Sequence, residues 1–103
     1  MIRVKFLVGN RQLTGFEIKG HAMFAQSGED VVCAAVSSAA YMAANTITEI
    51  VKDEAVAQVD DAKMLLSVKS PSEKTAVVLA GLQLHLSELA KEYPRNIQVI
   101  SEV

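Results

Sequence analysis

The chain has 103 residues, half of them hydrophobic and 21% charged, with ten basic residues against twelve acidic ones. That is enough for one domain with its own core, and too apolar for disorder. A net charge of −2 lacks the basic footprint of a nucleic-acid binder, so no direct nucleic-acid contact is expected.

In chain order, Ile2, Val4, Phe6 and Val8 alternate along a first strand, and Gly9-Asn10 supplies a two-residue hairpin signal. A second strand covers Gln12 to Lys19, with Thr14, Phe16 and Ile18 on one side. Gly20 to Glu29 reads as a loop rich in small residues, and a long helix follows from Val31 to Lys52. Ala55–Val59 makes a short strand, Asp60-Asp61 a turn, and Met64, Leu66 and Val68 alternate on the return strand. Ser70-Pro71-Ser72-Glu73 reads as a helix start, with Ser70 at the cap, Pro71 at the first helical position and Glu73 three residues after the cap. Leu79, Leu82, Leu86, Leu89 and Tyr93 then form one apolar stripe, and Pro94 stops the helix. Ile97, Val99 and Ser101 alternate in a last strand that ends near Glu102.

The order ββαββαβ predicts a two-layer α+β domain spanning 1–103, with two helices packed on a mostly antiparallel sheet. Val31 to Thr48 carries no charge and approaches spanning length, but its Ala, Ser, Thr and Asn content favours a buried helix in a cytoplasmic protein. The apolar residues of this helix run nearly all round it, which points to a second cover, preferably a twin subunit. The start of the chain lacks a signal-peptide layout, and a single cysteine suits a reducing compartment.

Cys33 is that cysteine, twelve residues after His21. With Asp30 as N-cap, Val31, Val32 and Cys33 fall in the first helical turn. There, unpaired backbone donors and the helix dipole favour a thiolate. A lone cysteine in an apolar helix is also an ordinary core residue. What tilts the reading toward a nucleophile is the predicted helix start together with His21 on the loop returning to it, placed to act as base or ion-pair partner. Gly15, Gly20 and Gly28 permit tight turns or a close backbone approach. Ser37, one turn after Cys33, is placed to orient His21 or a substrate carbonyl, or simply to bond the helix backbone. Asp60-Asp61 is too sparse for a metal, and His85 receives no role. No phosphate loop, metal cluster or nucleotide fingerprint is present, so no cofactor is expected.

Gly20-His21-Ala22 followed by Gly28-Glu29-Asp30-Val31-Val32-Cys33-Ala34-Ala35-Val36-Ser37 closely resembles the ribosomal-processing cysteine protease (Prp) family. Chain length and element order agree with it, and Asn45 fits the same pattern. The resemblance implies a cytoplasmic thiol endopeptidase and homodimer that removes the N-terminal extension of a large-subunit ribosomal protein. It implies Cys33 as nucleophile, His21 as its acid/base, and a mobile loop over about 22–28. Asp30 would cap the helix, and backbone N–H groups at the helix start would hold the oxyanion. The alternative is a non-catalytic dimeric module that binds a ribosomal protein or assembly intermediate.

Overall fold

The element order in the computed structural model is β1 (Ile2–Gly9), β2 (Gln12–Lys19), α1 (Ser27–Asn45) continued by a π-helical turn (Thr46–Val51), β3 (Ala55–Val59), β4 (Lys63–Val68), α2 (Glu73–Glu92) and β5 (Ile97–Ser101). The residues described are 1–20, 27–60 and 63–101, those at 27–30 by backbone alone. The ββαββαβ expectation holds. One five-stranded sheet runs β3-β4-β2-β1-β5, antiparallel throughout except for the parallel β1–β5 pair.

Strand alternation decides which sheet face is covered. Ile2, Val4 and Phe6 of β1, Phe16 and Ile18 of β2, and Met64, Leu66 and Val68 of β4 are all buried. In register, Val4 faces Ile18, Phe6 faces Phe16 and Phe16 faces Leu66, so the apolar rows align across strands. The rings of Phe6 and Phe16 lie 6.4 Å apart at 53°, a tilted pair worth about 0.5–1.5 kcal/mol beyond its area. Leu79, Leu82 and Leu86 of α2 and Val32, Val36, Ala40 and Ala43 of α1 complete one core. The stretch Val31–Val51 is long and apolar enough to cross a membrane, yet these α1 residues and Ile47 are spent in that core.

Four local expectations are corrected. The first hairpin turns at Asn10-Arg11 and not at Gly9-Asn10: Gly9 still pairs with Gln12, and both turn residues take left-handed φ values of 51° and 64°. Such a pair gives the twist that two-residue hairpins prefer. Helix α1 starts at Ser27, four residues before the expected Val31. Its last residues widen into the π-helical turn, where the Thr46 hydroxyl donates to the Met42 carbonyl at 2.7 Å. Finally, α2 is capped by Ser72 and not Ser70: its Oγ accepts the Thr75 N–H, and Pro71 lies before the cap. The choice between the two serines is made by Asp53, whose Oδ2 accepts both the N–H and the Oγ–H of Ser72 at 2.8 Å. This pair ties the segment leading into β3 to the start of α2.

Candidate active site

Strand β2 and helix α1 deliver the residues singled out above. Gly20 follows β2 with φ +75°, and a Cβ there would stand 2.6 Å from the Met1 carbonyl oxygen, so only glycine fits. His21 lies outside the described residues, as does the rest of the segment through Gln26 that the sequence reading took as a loop. Cys33 is half-buried on α1 and packs against the edge of the core.

The corrected helix start changes the chemistry of that thiol. Cys33 is the seventh helical residue counted from Ser27, and not the third. The N–H groups that lack intrahelical partners belong to a helix's first four positions, here no later in the chain than residues 27–30. At 1.5 Å rise per residue those lie roughly 5–9 Å along the axis from Cys33. The dipole's influence fades within the first turn. The unpaired N–H groups of the helix start are therefore not beside Cys33, which corrects the expectation that they hold the oxyanion there.

Asp30 and Gly28 are corrected with it. Both are inside the first turn of α1, so Asp30 is not the N-cap and Gly28 is not a loop glycine. An acidic residue in a first turn is favoured by the same dipole that favours an acidic cap, so the sequence signal was shared by two positions a few residues apart. Gly15 makes no turn: it sits within β2, where its missing Cβ admits the β4 backbone at Leu66.

Ser37 is half-buried one turn beyond Cys33 on the same flank of α1. Asn45 is the exposed last residue of α1, and its side chain makes no capping bond. The structure thus sets Cys33 and Ser37 together and leaves Asn45 about three turns away. Asp60 serves its hairpin, with Oδ1 accepting the Lys63 N–H at 2.9 Å.

Sequence reasoning missed a groove of about 680 Å³ between α1 and α2, lined by Ser38, Met42, Val77, Gly81 and His85 among others. Met42 is nine residues, or about two and a half turns, from Cys33 and so faces the opposite flank of α1. The groove and the thiol do not form one site. Its outer lip is apolar, with Met42 and Val77 both largely exposed.

A family model described as Cysteine protease Prp matches residues 1–98. The chain is 32% identical over 97 residues to the ribosomal processing cysteine protease Prp of Mycoplasma pneumoniae, covering 91% of this chain and 90% of that protein. Against the protein of the same name from Bacillus subtilis it is 23% identical over 101 residues, with the same coverage. Among crystal structures, the ribosomal processing protease Prp of S. aureus with a substrate peptide superposes with a TM-score of 0.88 at 24% identity. That likeness covers 99% of this chain and 100% of the other, and confirms the two-layer fold.

Proposed function

Because the chain belongs to the cysteine protease Prp family, we propose that it is the cysteine endopeptidase that removes the N-terminal extension of a large-subunit ribosomal protein, with Cys33 as nucleophile and His21 as acid and base. The observation that carries the assignment is the cysteine count. A thiol protease made from this sequence has only Cys33 to use, and α1 holds that thiol at the core boundary and not deep within it. The substrate class follows the name shared by the Mycoplasma and Bacillus relatives.

In the proposed reaction the Cys33 thiolate attacks the scissile carbonyl carbon and forms the C–S bond. As the C–N bond breaks, His21 gives its proton to the departing amine. Water then attacks the thioester, with His21 taking the proton, and the thiolate leaves as the new carboxylate forms. His21 serves as the imidazolium partner of the nucleophile. Ser37 supports the pair from the next turn, Gly20 sets the entry to the loop that bears His21, and Asp30 stabilises the first turn. The largely exposed Val31, Met42 and Ile50 on the first helical stretch favour a homodimer, and the single cysteine suits the reducing cytoplasm.

The test is cleavage of an N-terminally extended ribosomal protein from the same organism, followed by mass spectrometry. Wild type is expected to release the extension, and Cys33→Ala and His21→Ala are expected to leave it intact while retaining the native far-UV spectrum. Undiminished processing by Cys33→Ala would overturn the assignment.

A further inference from the structure

The β3 edge of the sheet has a backbone set for one more strand. β3 is outermost and pairs with β4 alone among the described residues. The phase of that ladder is fixed at its two ends. There the Lys69 N–H donates to the Glu54 carbonyl at 3.4 Å, and the Asp60 N–H to the Lys63 carbonyl at 2.9 Å. In an antiparallel ladder, alternate residues bond the same neighbour. Val56 and Gln58, opposite Ser67 and Leu65, therefore use their N–H and C=O groups on β4. Ala55, Ala57 and Val59 turn theirs to the open edge.

Natural edges are often blunted by charge, proline or a bulge. β3 has none of these: it reads Ala-Val-Ala-Gln-Val, and its register with β4 runs without a shift. Ala57 and Val59 stand opposite Leu66 and Met64, on the face that carries the core. Leu66 and Met64 are buried, yet Ala57 is exposed and Val59 is 53% exposed. The helical layer thus ends over β4 and leaves a shelf along β3.

Cys33 borders that shelf. Helix α2 packs on β2 and β5, which leaves α1 to cover β4. Met42 of α1 faces the groove with α2. Cys33, on the opposite flank, points away from α2 and toward the β3 side. The first helical stretch shares one core with the sheet and ends three residues before β3 begins. Helix and strand therefore run in opposite directions, and Cys33, in the first half of α1, lies toward the Val59 end of β3.

We propose that β3 receives the substrate by strand addition, with an extended segment of the protein to be cleaved pairing with Ala55, Ala57 and Val59 and continuing to Cys33. Unpaired backbone groups at every second residue match an extended peptide, and the small apolar side chains of the shelf leave room for its own. The place of Cys33 at the end of the shelf selects substrate over a second copy of this chain. In that choice the proposal rests on the protease reading given above.

The experiment uses a labelled peptide spanning the extension and the residues after it. Cleavage is read in the wild-type background, and fluorescence anisotropy in the Cys33→Ala background, which binds without turnover. Ala57→Pro removes an outward N–H where an edge strand tolerates proline. Val59→Lys puts on the edge the kind of charge that discourages pairing. Each is expected to keep the native far-UV spectrum and to raise KM and Kd about 10-fold, the upper worth of one backbone hydrogen bond. Each should also leave alkylation of Cys33 by iodoacetamide at the wild-type rate. Ile100→Lys, on the opposite edge of the sheet, is expected to change nothing. N-methylation along the peptide should weaken binding at every second residue, and the alternation should vanish in Ala57→Pro. Unchanged affinity in both β3 variants overturns the proposal, and intact cleavage there leaves the protease standing. Absence of the alternation overturns it too. So does a halved mass of Ala57→Pro in light scattering with peptide binding unchanged, which assigns the edge to a second copy. Peptide binding that depends on β3, without cleavage by wild type, refutes the protease and keeps the strand.

Discussion

Gly15 offers a severe test of the sheet. It lies in β2 with Leu7 of β1 on one side and Ser67 of β4 on the other. A Cβ at this position would run into the carbonyl oxygen of Leu66, and would stand 2.9 Å from its carbonyl carbon and 3.0 Å from Ser67 Cα. All three are backbone atoms of a paired strand, so no rotamer change relieves the clash; β2 and β4 must separate. Overpacking typically costs about 1–3 kcal/mol, and with a rigid neighbour we expect Gly15→Ala to reach about 3 kcal/mol. For a domain of this size each kcal/mol moves Tm by about 4–5 °C, which gives a fall of about 13 °C. Gly81 supplies the opposite sign from the same substitution. It lies exposed within α2, with nothing beyond its chain neighbours and its own helix backbone within 4 Å of the place a methyl group would take, so Gly81→Ala should gain about 0.8–1 kcal/mol and raise Tm by about 4 °C. Thermal and urea unfolding followed by far-UV circular dichroism reads both. Gly15→Ala within about 0.5 kcal/mol of wild type would mean that β2 and β4 do not pair in this register.

Leu86 is fully buried on α2, whereas Leu84 is 65% exposed. Leu86→Ala should therefore cost about 2–5 kcal/mol in urea unfolding, and Leu84→Ala no more than about 0.5. Asp53 gives a pH dependence. The N–H and hydroxyl of Ser72, with the Thr75 hydroxyl close by, hold its carboxyl below the usual 3.8. The folded state therefore favours the ionised form. Its contribution is complete above the unfolded value and is lost as pH falls through the lower folded one. Between about pH 5 and pH 3 the urea midpoint of wild type should fall further than that of Asp53→Asn. Parallel curves for the two proteins would remove Asp53 from the account of α2's start.

Strands were legible because period-two patterning has no close competitor here. Ile2, Val4 and Phe6, or Met64, Leu66 and Val68, fit only one face of a sheet, and β2 and β3 begin and end where alternation and turn residues put them. Helix starts were less legible because several polar residues compete for one cap. Ser70 and Ser72 look alike until Asp53, nineteen residues before Ser72, selects the second. Asp30 satisfies the rules for a cap and for a first-turn anion equally well, and the four residues between those readings decide whether Cys33 meets unpaired N–H groups. The family resemblance pointed to Cys33 and His21 without drawing that distinction. The α1–α2 groove could not be read from one strand or helix, since it depends on how elements far apart in the chain pack together.

The parallel partnership of β1 and β5 has a consequence for how the molecule comes into being. Ile2 stands beside Ile97, and the Ile2 N–H donates to the Asn96 carbonyl at 2.7 Å. The first strand to be synthesised therefore waits for the last before one of its edges is closed. Such a contact, spanning nearly the whole chain, carries a large loop-closure entropy and forms late. During synthesis at about 5–20 residues per second, the partial chain presents an open β1 edge for several seconds, with Arg3 and Lys5 as the charges along it. Those cations are the kind of residue that discourages a naked edge from pairing with another chain. The finished sheet is thus sealed by β5, and until then the β1 edge is guarded by its own basic residues.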